Sequence, residues 1–494
     1  VWTGLVLTML TCSHSITRYQ RIRGNFMPYT TINPATGELL ATYDDISDPL
    51  LETKLAAAHR AFETDWRRRP VSDRARIVSR AAALLREKSV EYAGYLTLEM
   101  GKRYGEALRE VESAASILEY YAKHAQTYLQ PRPLAEAPGA AVHIEPIGVL
   151  LGIEPWNLPY YQIARVAGPQ LMVGNVLLLK HAENVPQSAL AFARLFEEAG
   201  APEGVYTNLF ISIEQAGRVI DDARVQGVTL TGSERAGAAV AERAGRNLKK
   251  VVLELGGSDP LIVLEDVPLD WAIQSAVAGR MFNAGQLCVS SKRIIVVGKA
   301  RGDAFLEGFA RKMAALETGD PADPATAVAP VSSERALNLL LEQIDRATSH
   351  GARIVCGGRR VDRPGFYLQP TVLTEITPHN PVFAEELFGP VAAFHVVEDE
   401  AAAISLANGT PYGLGASVFT ADTERGERVA AQIESGMVFV NQPFGTSAEL
   451  PFGGVKRSGF GRELSQLGFD EFVNKKLIRV ADVGAAPFGP ARAS

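Results

Sequence analysis

Residues 173–200 read VGNVLLLKHAENVPQSALAFARLFEEAG. The opening stretch VGNVLLLK is an apolar run ending on Lys180. From Asn184 onward the apolar residues recur three and four apart, which is helical spacing. The same strand-then-helix change recurs downstream. GVTLTG (227–232) leads into SERAGAAVAERAG (233–245), and KKVVLELGG (249–257) and DPLIVLED (259–266) follow. Buried β-branched runs alternating with helices indicate a parallel sheet with crossovers, and so an α/β class.

Working outward, AAVHIEPIGVLLGIEP (140–155) is strand-like, and residues 50–130 read as helices. Their segments are LLETKLAAAHRAFETDW (50–66), SDRARIVSRAAALLREKSVEYAGYLTLEMG (72–101) and EALREVESAASILEYYAKHAQTYL (106–129). Ser72 reads as an N-cap and Gly101 as a C-cap. A second α/β unit starts near Gly256. It contains the strand KRIIVVG (292–298), a helix leading into a strand in ALNLLLEQIDRATSHGARIVCGG (336–358), and strands in PYGLGASVFTAD (411–422) and ESGMVFVNQ (434–442).

The chain has 494 residues, 47% apolar and 21% charged, with a net charge of −6, so two or three soluble globular domains are expected. Nucleic-acid binding would need a basic face and is not expected. Cys12, Cys288 and Cys356 lie far apart with no CxxC, which fits a reducing, cytoplasmic setting without disulfides or a metal site. At the N-terminus, VWTGLVLTMLTC precedes its arginines, the reverse of a signal peptide, and is too short to cross a bilayer. No membrane association is expected. Residues 1–26 read as a misplaced start or a disordered extension before Met27. The Ala/Gly/Pro-rich tail ADVGAAPFGPARAS (481–494) reads as untethered.

Four segments could carry chemistry. In FNAGQLCVSSKR (282–293), Cys288 is either a nucleophile or a buried apolar thiol, and the segment alone does not decide. In LELGGSDP (253–260), Glu254 sits in an apolar run, where burial would raise its pKa toward that of a general base; a strand-end salt bridge is the alternative. In EPWNLPYY (154–161), Asn157 is either a fixed amide donor for an oxyanion or a turn asparagine. No GxGxxG is present, but Gly232 and Ser233 open a helix after a strand, where free N–H groups can bind phosphate. Lys180 and Glu183 follow another strand, within reach of a ribose.

Together these segments resemble the aldehyde dehydrogenase superfamily from about residue 30 to residue 480. The matching stretches are PWNLP, LLLKHAE, TGSERAG, LELGGSDP, FNAGQLC, EELFGPV and PFGGVKRSGFGRE, in family order, with Glu254 preceding Cys288 at a separation similar to the family's. The resemblance implies a Rossmann-like cofactor domain (27–132 and 147–255), an α/β catalytic domain (256–440) and a small oligomerisation hairpin (133–146 and 471–485). Residues 441–470 would return to the cofactor domain and active-site loop. Cys288 is then the nucleophile, Glu254 the base that activates water, and Asn157 the oxyanion donor. Cofactor contacts carried over are Ile153, Glu154, Pro155 and Trp156, Lys180 and Glu183 at the adenosine ribose, Gly232, Ser233 and Leu255, and Glu386 with Phe388 at the nicotinamide ribose and ring.

An acidic Glu183 would favour a ribose 2′-OH, so NAD is expected over NADP, with Lys180 leaving NADP open. The spacing of Arg165 after the catalytic loop is similar to that of bacterial succinate-semialdehyde dehydrogenases, where it would meet a distal carboxylate with Gln162 and Ser447 nearby. A second arginine found in some members is replaced here by Phe282. Glutarate semialdehyde and aliphatic or aromatic aldehydes remain alternatives, as does a non-catalytic binding protein on the same fold. Coenzyme A-acylating members lack a base at the Glu254 position. A homodimer or homotetramer is expected.

Overall fold

The computed structural model describes residues 29–484, so the expected extension at 1–26 and the tail from 485 lie outside the described residues. Two mixed sheets organise the chain. The first has six strands in the order Gly459–Phe460, Lys250–Glu254, Val225–Thr231, Val149–Glu154, Val176–His181, Tyr206–Asn208. All neighbours are parallel except the first pair. The run VLLLKH is buried at every position, because helices cover both faces of its sheet.

From the strand Val149–Glu154 the chain winds one way to Tyr206–Asn208, then returns to lay Val225–Thr231 and Lys250–Glu254 on the other side. Strand order therefore reverses between Val149–Glu154 and Val225–Thr231. In open α/β sheets, ligands bind outside the carboxyl ends of the strands at such a switch point.

The second sheet has seven strands, ordered Arg353–Cys356, Thr371–Thr374, Val391–Val397, Arg293–Val297, Pro260–Val263, Gly415–Phe419, Met437–Val440. It is parallel apart from its first pair. A small antiparallel sheet joins Arg132–Pro133, Ala140–Pro146 and Val473–Arg479.

The helical region at 50–130 forms Asp48–Thr64, Val71–Glu87, Ser89–Met100 and Tyr104–Tyr128. Gly101 closes the third helix with φ of 75°, a left-handed cap suited to glycine. Ser72 is not an N-cap. Its helix starts at Val71 behind Pro70, whose fixed φ suits entry into a first turn, and Ser72 lies inside that turn. The segment 72–101 also divides at Lys88, with no Gly or Pro to mark the break. Among the described residues, no helix is long and apolar enough to cross a membrane.

Candidate active site

Three strands of the six-stranded sheet end on one crevice. Val149–Glu154 delivers Pro155, Trp156 and Asn157; Val225–Thr231 delivers Gly232 and Ser233; Lys250–Glu254 delivers Glu254 and Leu255. The second sheet's side contributes Cys288, Glu386 and Phe388. Ser233 caps the helix Glu234–Arg246, accepting from Ala236 N–H, so the positive end of that helix faces the crevice. A Cβ on Gly232 would meet only Leu230, at 3.5 Å, which leaves room for a phosphate to approach the backbone. The crevice thus fits a dinucleotide.

Of the cofactor candidates, Ile153, Glu154, Lys180 and Glu183 lie outside the crevice lining. Ile153 and Glu154 belong to the strand behind it, with Glu154 buried. Lys180 and Glu183 end the neighbouring strand, where Lys180 Nζ lies 2.6 Å from Glu183 Oε1 and 5.3 Å from the Tyr29 ring centroid. The Glu183 charge is therefore already answered by a buried ammonium. Glu386 accepts from Gly257 N–H at 3.1 Å and lies 3.2 Å from Lys292 Nζ, and Phe388 packs edge-on to Trp156 at 5.6 Å.

A second cavity also reaches Cys288, between the helices Tyr104–Tyr128 and Pro159–Val173. Its walls include Leu158, Tyr161, Phe282, Phe444 and Phe452, so it is a largely apolar tunnel. Cys288 lines both cavities. Gly285, at φ 74°, forms the turn before it, where a Cβ would strike the Gly389 carbonyl. Burial pushes the Cys288 thiol up to about 12, against the pull of Arg165 and Lys292. Lys292 is itself buried and donates to the Leu287 and Cys288 carbonyls at 2.8 and 2.6 Å.

Glu254 is 2% exposed, and neither of its oxygens has a hydrogen-bond partner among the described residues. Burial, reinforced by Glu463, holds its carboxyl well above the usual carboxylate range, and Arg165 only partly opposes this. Such a carboxyl takes up and releases protons nearer neutrality.

Asn157 is held from several directions. Its Nδ2 donates to Gln286 O at 3.1 Å, and the Gln162 amide lies 2.8 Å from its Oδ1. Its carbonyl accepts from Lys102 Nζ at 2.8 Å and Asn283 Nδ2 at 3.0 Å. Lys102 is in turn paired with buried Glu110, which accepts from Tyr160 N–H at 2.9 Å. One Asn157 amide hydrogen remains for another acceptor.

Arg165 is placed as expected on the tunnel wall, whereas Ser447 is not. Arg165 lines the tunnel, but its Nε lies 2.7 Å from Glu463 Oε2, and its guanidinium is packed against Phe452 and Tyr161 at 4.4 and 5.1 Å. Its charge is committed to a buried pair. Ser447 does not line the tunnel. It is exposed toward Glu449, and its neighbour Thr446 lines the wall instead, bonded to the Tyr161 hydroxyl. Sequence reasoning did not single out Lys292, Glu463 or the Lys102–Glu110 pair. Lys292 and Glu463 stood inside quoted motifs, whereas nothing local marks the pair.

The chain matches the aldehyde dehydrogenase family over residues 23–478. It is 50% identical over 454 residues to a Deinococcus radiodurans protein named succinate-semialdehyde dehydrogenase [NADP(+)], covering 92% of this chain and 94% of that one. A Synechocystis protein named probable succinate-semialdehyde dehydrogenase [NADP(+)] is 42% identical, covering 92% and 100%. The crystal structure of succinic semialdehyde dehydrogenase from Streptococcus pyogenes with NADP+ superposes with a TM-score of 0.90 at 45% identity, covering 92% and 100%. These names support a nicotinamide cofactor and run against the expected preference for NAD. With its motifs in order, its crevice at the switch point and these relatives along nearly its whole length, the chain belongs to the aldehyde dehydrogenase family.

Proposed function

We propose that this protein oxidises a carboxylate-bearing aldehyde, succinate semialdehyde first among them, to the acid through a covalent intermediate on Cys288. The observation that carries the reading is the position of Cys288 where the cofactor crevice and the apolar tunnel meet, with Glu254 and Asn157 on the crevice side. The names of the relatives support the substrate class.

The Cys288 sulfur, as thiolate, attacks the aldehyde carbon and forms a C–S bond. The carbonyl oxygen becomes an alkoxide, received by the free amide hydrogen of Asn157, a contribution of about 2.7–4 kcal/mol for a well-aimed donor. A nicotinamide held between Glu386 and Phe388 would supply the acceptor for the hydride on this carbon, which leaves the acyl group on Cys288 as a thioester. Glu254 then takes a proton from water, whose oxygen attacks the thioester carbon. The C–S bond breaks, Cys288 is restored and the acid departs. Splitting one hard step into two easier ones is the gain from covalent catalysis.

Gly232, Ser233 and the helix start behind them would hold the pyrophosphate, and Glu386 with Phe388 the nicotinamide end. For the ribose, NADP is the better-supported partner. Lys180 can neutralise a 2′-phosphate, and half-exposed Glu183 is the residue that opposes it. The outer strand Val473–Arg479 is paired along one edge only and exposes Leu477 and Ile478, which supports pairing with a second copy in a homodimer or homotetramer.

The test is a kcat/KM panel over succinate and glutarate semialdehydes, butanal and benzaldehyde, run with NAD and NADP. Succinate semialdehyde with NADP is expected to rank first. A neutral aldehyde ranking first would reject the substrate class.

A further inference from the structure

Four charged side chains line the tunnel to Cys288: Glu106, Glu110, Arg109 and Arg165. Three already have a counter-charge. Glu110 is paired with Lys102, Glu106 with Arg103 at 2.5 Å, and Arg165 with Glu463 at 2.7 Å. Arg109 is the exception. It projects from the helix Tyr104–Tyr128, is exposed, and its guanidinium has no carboxylate or hydrogen-bond acceptor among the described residues. The tunnel therefore carries one unanswered positive charge.

That charge is positioned by aromatic rings. The Arg109 guanidinium carbon lies over the Phe282 ring, 6.0 Å from its centroid, and Phe282 is braced edge-on by Phe444 at 5.8 Å. A guanidinium resting on a ring face keeps its N–H fork available for a planar anion. Ser113, one turn further along the helix, lines the same wall, its hydroxyl donating to the Arg109 carbonyl at 2.9 Å. With apolar walls between this cation and the Cys288 thiol, the tunnel suits a short molecule with an aldehyde at one end and a carboxylate at the other.

We propose that Arg109 receives the distal carboxylate of the aldehyde, reaching it across Phe282, and so sets substrate selectivity. The inference rests on the carboxylate-bearing substrate proposed above and assigns its anchor. Arg165 lines the same tunnel with its charge paired to Glu463.

The experiment measures kcat/KM for succinate semialdehyde and for butanal, with NADP, in the parent enzyme and in Arg109→Ala and Arg109→Lys. The ratio of the two constants within each enzyme cancels any inactive fraction. Arg109→Ala is expected to lower that ratio about tenfold or more, through a higher KM for the semialdehyde, with Arg109→Lys recovering part of it. If the parent favours the semialdehyde and Arg109→Ala keeps the ratio, Arg109 is not the anchor and the substrate reading stands. If the parent shows no preference for the semialdehyde, the substrate reading fails and the anchor with it.

Discussion

Replacing Asn157 by alanine separates a catalytic donor from a structural one. The side chain is 3% exposed and makes two internal contacts, to Gln286 O at 3.1 Å and to the Gln162 amide at 2.8 Å. Truncation leaves the buried Gln162 amide without this partner, at about 1–3 kcal/mol, while Gln286 O keeps Asn283 Nδ2 at 3.2 Å. It also removes the one amide hydrogen free to meet an oxyanion, at about 2.7–4 kcal/mol, or roughly 10²–10³ in kcat. Both effects are measurable on one preparation. Urea unfolding reads the structural part. NADPH formation at saturating semialdehyde, normalised to titrated thiol, reads the catalytic part. The expected result is a kcat loss of about 10²–10³ with little change in KM, alongside a stability loss of about 1–3 kcal/mol. A variant with the full stability loss but a kcat within about tenfold of the parent would refute the oxyanion assignment, because the pocket would have lost its donor without consequence.

Glu254→Gln is expected to release about one NADPH per active site and then stall, since the thioester forms but its water is not activated; steady turnover at more than a tenth of the parent rate would exclude Glu254 as the base. The pH dependence follows from the raised Cys288 and Glu254 groups. Both are acids whose working forms are deprotonated, so activity is present at high pH and lost as pH falls. kcat/KM should still be climbing above pH 8, and a plateau reached below pH 7 would contradict the burial argument. Glu183→Ser frees Lys180 and should raise the NADP-to-NAD ratio of kcat/KM about tenfold; an unchanged ratio would remove Glu183 from cofactor choice.

The alternation of strands and helices is legible because burial on both faces leaves a local signature: VLLLKH can hardly be anything but an interior strand. The approach of Glu254, Asn157 and Cys288 to one crevice is legible only through the family motifs, since the turns that deliver them are widely separated along the chain. The charge pairing is not legible. Arg165 meets Glu463 from the far end of the chain, and Lys102 meets Glu110 across a helix start, contacts that no spacing rule reports. Ser447 and Thr446 differ by one position on an irregular loop, where backbone direction alone decides which hydroxyl reaches the wall. The helix break at Lys88 likewise has no breaker residue to announce it.

The short strand Gly459–Phe460 pairs antiparallel with the end of Lys250–Glu254, matching Gly459 to Glu254 itself. Gly453 completes the enclosure, since a Cβ there would lie 2.6 Å from Glu254 Oε1. The order of synthesis gives this arrangement a consequence. A nascent chain that has emerged as far as Val440 carries Cys288, Asn157 and the rest of both large sheets, yet its base still sits on an open strand edge. Residues 452–463 follow the other strands of both large sheets in chain order and shut that edge, so the base is enclosed only once this segment has docked.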